Sequence, residues 1–444
     1  MMQISQTLIL LLGACMVSSV AASGQPPPIP ISLAQTALPN TGQSSSRSPQ
    51  GRITISELAA EALRSSPEIL AAQKRYEAAR QRPSQVSALP DPMISPGWNS
   101  SGAPWPGAGL GMEPVANVGV MITQEIPFPG KRKLAGDMAE KEAEAEFQSY
   151  QQVQLSVISR LKQAYYRLAY AYAATDVIDR NVELLRKFLK ISEIRYSVGK
   201  AEQQDVLKAQ TQISILETRR IPLEQEKRAR EAEINSVLNR APNAPVGRPV
   251  ELAPVPVGIT AEELYAAARE NSPMLRRDEK MIQRSEVGVN MARKEYYPDF
   301  TLNGGYYSMG SMPSMYMFRA DIKVPLYWFR KQRAGVTEQA AGLQQARATL
   351  RSTEQSLNYQ IRNDLTMAEA ASRLVNLYRE TVIPQASVTL ESSLSSYEAG
   401  KVDFLTVLMN YITIVEYEMN FNEELQNLFL ALSRLEEMTG RRLL

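Results

Sequence analysis

Two long stretches of the chain repeat apolar side chains at alternating spacings of three and four, which is the pattern of coiled-coil helices. The first runs from Lys131 to Val198, and Gly136 is its only glycine or proline. A helix of about 65 residues would be roughly 100 Å long, which exceeds any compact domain. The same spacing resumes after Gly199 and on both sides of Gly400, where glycine permits the positive φ of a helix C-cap. Each half of the chain therefore predicts an antiparallel helical hairpin.

Four short segments alternate apolar and polar residues, which is the period of a β-strand. The clearest is Phe318–Val324, in which Arg319, Asp321 and Lys323 share one face. The other segments are Asp299–Ser308, Asn117–Thr123 and, more weakly, Met93–Asn99. One interpretation is an antiparallel sheet on a soluble core, and the other is a membrane sheet with lipid on one face and water on the other.

Four strands cannot close a barrel, and open edges are not tolerated in hydrocarbon, because the backbone groups there would stay unpaired. Small bacterial barrels begin at about eight strands, so two or three copies of the chain are the simplest closures. In the membrane interpretation, several chains therefore share one barrel.

The sequence repeats itself over nearly its whole length, with matching motifs roughly 200 positions apart. The predicted order is helix, strand, turn, strand, very long helix, tight turn and long helix, first in 53–242 and again in 260–440. Residues 243–259 form a Pro-rich linker between the halves. Pro222 and Pro384 each remove a backbone donor, so we expect each to interrupt and bend its helix.

The first 22 residues have the layout of a secretory signal peptide, with a short apolar run followed by small residues. Two cleavage sites compete: Leu12–Cys15 resembles a lipoprotein box, which would lipidate Cys15, whereas Val20–Ala22 fits ordinary signal peptidase. Residues 23–52 are rich in Pro and Ser and are predicted to be a disordered tether.

Composition excludes several classes of function. With 49 basic and 47 acidic side chains, the chain offers no field that would favour a nucleic-acid partner. There is no histidine and Cys15 is the only cysteine, so we expect neither enzymatic chemistry nor a cofactor. Thioethers bind Cu(I) and Ag(I), but four methionines with irregular spacing are expected to pack in a loop between two strands rather than to bind metal. They are Met309, Met312, Met315 and Met317.

Three motifs together resemble a known family. Thr123–Lys131 contains Pro-Phe-Pro-Gly-Lys at a strand-to-helix junction, and Tyr196–Lys200 and Tyr397–Lys401 are paired hairpin turns. From about residue 53 to residue 441 the chain resembles the TolC-type outer-membrane efflux proteins, and the first motif resembles their heavy-metal branch. The resemblance implies a mixed α and β membrane protein: a homotrimer with a barrel of four strands per chain, continuous with a periplasmic coiled-coil tunnel.

The resemblance also implies a function and partners. The chain would be the passive, gated exit duct of a tripartite system, embedded in outer-membrane lipid and served by a periplasmic adaptor and an inner-membrane RND-type pump. Its cargo would be metal cations, such as copper and silver or cobalt, zinc and cadmium. A drug or small-molecule duct and a structural coiled-coil envelope protein remain as alternatives.

Site residues are carried over by position. The adaptor would contact the hairpin turns at Gly199, Lys200, Gly400 and Lys401. Asp205 and Tyr397 correspond to positions that meet across the closed tip. Many relatives carry an aspartate where this chain has Met409, so a hydrophobic gate of Leu405 and Met409 is the hypothesis. The alternatives are a solvated Asp205 and simple coil packing by the other three side chains.

Overall fold

The computed structural model of the protein describes residues 52–443, so the predicted signal peptide, Cys15 and nearly all of the predicted tether lie outside the described residues. The elements of the first half are β1 (Arg52–Ile53), α1 (Ile55–Ser65), α2 (Pro67–Ser87), β2 (Met93–Asn99), β3 (Asn117–Ile126), α3 (Lys131–Ser197) and α4 (Gln203–Val237). The elements of the second half are β4 (Arg248–Pro249), α5 (Ala261–Asn271), α6 (Pro273–Lys294), β5 (Asp299–Met309), β6 (Met312–Lys323), α7 (Lys331–Leu377), a π-helical turn (Tyr378–Val382), α8 (Ile383–Glu398) and α9 (Phe404–Thr439). The same order of long elements therefore occurs twice.

Matching residues begin the early helices of both halves. Thr54 caps α1 in a capping box with Glu57, and the Thr260 side chain likewise accepts a hydrogen bond from the backbone of Glu263 at the start of α5. The next helix of each half begins with a proline, whose missing N–H costs nothing in the first turn. Local capping chemistry thus sets the same register in each half.

The helices of the two halves pack against each other along their length. The 67 residues of α3 pack against α4 and α9, and this confirms the long helix expected from the sequence. The rings of Tyr166 in α3 and Phe429 in α9 lie 4.7 Å apart. Further along, the Tyr411 hydroxyl donates a hydrogen bond of 2.6 Å to the carbonyl oxygen of Asn181. Buried apolar side chains from both halves therefore pack together in shared clusters along the helices.

The two prolines that were expected to interrupt long helices behave differently. Helix α4 continues through Pro222, so the interruption predicted there is wrong. Before Pro384 the helix widens into the π-helical turn, and the N–H of Ile383 bonds to the carbonyl of Tyr378. Proline has no backbone N–H, and a π-turn is one way in which a long helix accommodates the missing hydrogen bond.

The Pro-rich segment between the halves is held against the helices. Its short strand β4 pairs in parallel with β1, and Val246 is buried in the core. The Tyr165 hydroxyl donates to the carbonyl of Ile53 and accepts from the N–H of Val250, each at 3.0 Å. The Asn235 amide also donates to the carbonyl of Ala244. These contacts fix the path of the chain from one half to the next.

Two strands from each half form one antiparallel sheet in the order β2-β3-β5-β6. Strands β3 and β5 join the halves, while β2 and β6 lie at the edges of the sheet within the chain. Strand β6 begins at Met312, and the turn after β5 consists only of Gly310 and Ser311. The loop predicted for the methionines is therefore wrong, because Met315 and Met317 lie within β6.

The two faces of this sheet differ in polarity. One face carries branched and aromatic side chains, and most of them are exposed, including Phe318 at 87% and Tyr316 at 69%. The opposite face carries Asn303, Arg319 and Asp321, and the Asn303 amide donates to Asp321 at 2.7 Å. The alternation predicted from the sequence thus gives an amphipathic sheet.

In the part of the chain that the structure describes, no helix has the length and apolar character needed to cross a membrane.

Candidate gate at the hairpin tips

Both helical hairpins turn through the same backbone motif. In the first, Gly199 has φ +70°, and the N–H groups of Gly199 and Lys200 bond to the carbonyls of Tyr196 and Arg195. In the second, Gly400 also has φ +70°, and the bonds run from Gly400 and Lys401 to Tyr397 and Ser396. This pair of bonds is the Schellman motif, which satisfies the last helical carbonyls and favours glycine. The two glycines and two lysines are exposed, so both turns present a similar surface.

Arg195 joins the two tips inside one chain. Its Nη1 donates a hydrogen bond of 2.7 Å to the carbonyl oxygen of Tyr397, and its guanidinium carbon lies 4.4 Å from the centre of the Tyr397 ring. The same ring packs edge-on against Phe404 at 5.8 Å. No role for Arg195 could be predicted from the sequence, because its partner lies about 200 residues away and the local pattern shows only a basic side chain in the last turn of a helix.

The Tyr397 side chain is buried, and its hydroxyl oxygen has no hydrogen-bond partner within the described chain. The Nε of Arg195 is also buried without a partner there. The expected bond from Tyr397 to Asp205 is therefore not made inside one chain. A buried polar group without a partner is costly, so this hydroxyl opposes the packing of the tip rather than supporting it.

Asp205 is half-buried near the start of α4, and its N–H bonds to the carbonyl of Glu202. Burial raises the pKa of Asp205 above its ordinary value, and the nearby carboxylates of Glu202 and Asp403 act in the same direction, while Lys208 opposes them. The carboxyl of Asp205 consequently takes up a proton at a higher pH than an ordinary aspartate does.

Leu405 and Met409 lie one helical turn apart on the exposed side of α9, with 43% and 54% of their surfaces accessible. Their neighbours Phe404, Leu408 and Tyr411 are buried in the core of the hairpins. Neither Leu405 nor Met409 belongs to this buried cluster, and the exposed part of each side chain is available to face a channel or another subunit.

A second polar contact fixes the sheet to the helices. The buried Lys131 amine at the start of α3 lies 2.9 Å from both carboxylate oxygens of Asp299, the first residue of β5. Asp299 also accepts a hydrogen bond of 2.8 Å from the N–H of Phe128, whose ring stacks on Tyr297 at 4.5 Å. Lys131 and Asp299 both belong to the repeated sequence motifs, but the sequence did not show that they pair with each other across the two halves.

Across residues 52–443, no group of three or more acidic, histidine or cysteine side chains is arranged to hold a metal ion.

Comparison with known proteins supports one family. The family model of outer membrane efflux proteins matches residues 58–240 and 264–441, one match for each half. The cobalt-zinc-cadmium resistance protein CzcC of Cupriavidus metallidurans is 22% identical over 184 residues, which are 41% of this chain and 43% of CzcC. That alignment therefore spans less than half of the curated relative.

Two solved structures have the same fold. CusC, described as forming a transmembrane channel, superposes with a TM-score of 0.75 at 15% identity. The superposition covers 87% of this chain and 92% of the CusC chain. The outer membrane protein VceC from Vibrio cholerae superposes with a TM-score of 0.73 at 17% identity. That superposition covers 87% of this chain and 96% of the VceC chain. The family model matches most of the chain, and the fold agrees with it. The chain belongs to the outer membrane efflux protein family.

Proposed function

We propose that the protein is a trimeric, passive exit duct in which three chains share one twelve-stranded barrel. The observation that carries the proposal is the isolated four-stranded sheet with one exposed apolar face. Such a face suits lipid, but the outer edges of β2 and β6 would leave backbone groups unpaired in hydrocarbon. Pairing β6 of one copy with β2 of the next closes the sheet, and three copies give a barrel within the range of known outer-membrane barrels.

In this proposal the long helices extend the barrel into the periplasm as a tunnel. Helix α3 alone, with 67 residues, would reach about 100 Å. The exposed turns at Gly199–Lys200 and Gly400–Lys401 would bind a periplasmic adaptor, and an inner-membrane RND-type pump would supply the energy. The duct itself would perform no chemistry.

The hairpin tips would form the gate of the duct. In the closed duct the Tyr397 ring would turn outward, so that its hydroxyl, which has no partner within the described chain, donates to Asp205 of a neighbouring subunit. A hydrogen bond to a carboxylate is stronger than a neutral one and would hold neighbouring coils together. Leu405 and Met409, exposed on the same side of α9, would form an apolar constriction.

Heavy-metal cations are the cargo that we propose. The support is the similarity to CzcC, whose name refers to cobalt, zinc and cadmium, together with the Pro127–Lys131 junction motif. Drugs or other small molecules are the second candidate, since a wide duct needs no specific site for its cargo. A structural coiled-coil protein is disfavoured by the amphipathic sheet, for which such a protein would have no use.

Reconstitution of the full-length protein in planar bilayers tests the duct. We expect the current to change in discrete steps, as it does for a water-filled pore. The steps should be small when the gate is closed. Purified protein that inserts into the bilayer and carries no current in any condition, including after the tip contacts are removed by substitution, would contradict the proposal.

A further inference from the structure

Four methionines of the four-stranded sheet lie on its polar face. Paired residues of neighbouring strands share a face, and the register places Met93, Met121, Met315 and Met317 on the face that carries Arg319. In the regular part of the register, before the irregularity between Tyr307 and Met309, the paired positions of the opposite face hold no methionine and are mostly branched or aromatic. Methionines that served only as apolar filling would be expected on the lipid-facing side instead.

Three of these methionines surround one tyrosine. Met121 and Met317 both pair with Gly305 from opposite sides, and Met315 pairs with Tyr307. The Tyr307 ring lies over Gly305, because a Cβ there would come within 2.8 Å of its Cε2 atom. We call Met121, Met315, Met317 and Tyr307 the thioether patch.

The geometry of a sheet brings these side chains within reach of one ion. Neighbouring strands are about 4.8 Å apart, so the α-carbons of Met121 and Met317 lie about 10 Å apart across Gly305. Met315 and Met317 are two residues apart on one strand, or about 6.8 Å. The methionine side chain is unbranched and has three rotatable bonds, so the sulfurs can turn toward a common point. Gly305 has no side chain of its own, and the Tyr307 ring covers the space above it, so the common point lies over that ring.

We propose that the thioether patch binds soft monovalent cations, Cu(I) or Ag(I), as they pass through the duct. The proposal rests on the proposed function in one respect, namely that the polar face of the sheet lines the pore. Neutral thioethers favour these ions, while Zn²⁺ prefers nitrogen, oxygen and thiolate ligands. The face of the Tyr307 ring adds a cation–π attraction. Neutral ligands bind reversibly, as a transport path requires, because an ion must be able to leave each site.

Charged side chains of the same face lie nearer the helical end of the sheet. Arg319 and Asp321 pair there at 3.1 Å, and Asp299 is bound by Lys131. Asp321 and Asp299 thus have basic partners, and Glu125, which pairs with Thr301 on the same face, lies apart from the methionines along the strands. The thioether patch is thus separated along the strands from these charged side chains. We therefore expect its thioether sulfurs to determine which cations it binds.

The test is silver binding by the full-length protein in detergent, measured by equilibrium dialysis with silver nitrate in chloride-free buffer. The variant Met121→Leu/Met315→Leu/Met317→Leu keeps the side-chain volume and removes the sulfurs. The control is Met281→Leu/Met367→Leu, which removes two exposed thioethers from the helices. We expect the triple variant to bind silver about tenfold more weakly or worse, the control to match the wild type, and Zn²⁺ not to compete.

Equal silver binding by the wild type and the triple variant would overturn the proposal, as would a wild type that binds no silver. Current through bilayers in potassium nitrate separates this inference from the duct itself. Protein that conducts but does not bind silver refutes the thioether patch alone. Protein that binds silver through the patch but never conducts refutes the duct. We expect both activities, with silver reducing the wild-type current and leaving that of the triple variant unchanged.

Discussion

Two buried tyrosines of the hairpins differ in a way that the sequence could not reveal. Tyr411 and Tyr397 both lie in the same apolar cluster, yet only Tyr411 has a hydrogen-bond partner for its hydroxyl within the chain. A buried hydroxyl with a partner contributes to the stability of the fold, whereas one without a partner opposes it. The same residue type therefore has a structural role at one position and a proposed gating role at the other.

The first prediction compares the two hydroxyl groups. Tyr411→Phe should cost about 1 kcal/mol of folding stability and leave the closed-state current unchanged. Tyr397→Phe should cost little stability, because no bond within the chain is lost, but should raise the closed-state current by removing the contact to Asp205 of the neighbour. Thermal unfolding and bilayer recordings measure the two effects. An unchanged current in Tyr397→Phe would remove this hydroxyl from the gate.

The second prediction concerns pH. The pKa of Asp205 is raised by burial, so the folded chain tolerates its protonated form and gains stability as pH falls through that raised value. The protonated carboxyl is a poorer acceptor for the Tyr397 hydroxyl, so the gate contact weakens over the same range. The closed-state current should therefore rise as pH falls through the raised pKa of Asp205, which lies above the ordinary range of aspartate.

Asp205→Asn provides the control for this pH dependence. The variant should show a current that is raised at neutral pH and nearly independent of pH over the same interval. A variant that kept the full acid response of the wild type would assign the response to another group, such as Glu202.

At the scale of elements, regular patterns were predictable and contacts between distant residues were not. Helix α3 was predicted to within one residue, because Lys131 to Ser197 contains no proline and only one glycine. Strand β6 was predicted to begin at Phe318 but begins at Met312. The reason is that Met315 and Met317 lie on the polar face, so the alternation of apolar and polar residues is hidden there. Arg195 was missed because its partner is remote in sequence.

The third prediction uses two paired glycines of the sheet. Gly97 in β2 and Gly119 in β3 face each other in the register, but a Cβ on Gly119 would lie 2.1 Å from the Tyr306 carbonyl oxygen, while one on Gly97 meets nothing within 4 Å. Gly119→Ala should cost about 1–3 kcal/mol or more and reduce the yield of assembled protein. Gly97→Ala should assemble normally. Equal yields of both variants, judged by gel mobility of unheated samples, would show that the close approach at Gly119 is unimportant.

At the scale of the whole molecule, the internal repeat predicts a contact between subunits. Inside the chain, Lys131 after β3 binds Asp299 at the start of the neighbouring strand β5. The equivalent residues of the other strands are Lys331, which begins α7 after β6, and Asp91, which precedes β2, and both are exposed in the single chain. If β6 pairs with β2 of the next copy, Lys331 should bind Asp91 of that copy.

Charge reversal gives the fourth prediction. Asp91→Lys and Lys331→Asp should each weaken the oligomer by about 1 kcal/mol per interface, because each places like charges together. The double variant should recover much of the loss, because it restores opposite charges at all interfaces. Thermal dissociation followed by size-exclusion chromatography measures the effect. Additive losses in the double variant would refute the pairing.

The proposed duct requires three chains to share one barrel, and electron cryomicroscopy of the full-length protein extracted from the outer membrane would show whether they do. We expect a hollow particle with three-fold symmetry, twelve strands at one end and a helical tunnel of about 100 Å. A particle with a different number of subunits, or single chains with an open four-stranded sheet, would contradict the shared barrel and with it the proposed duct.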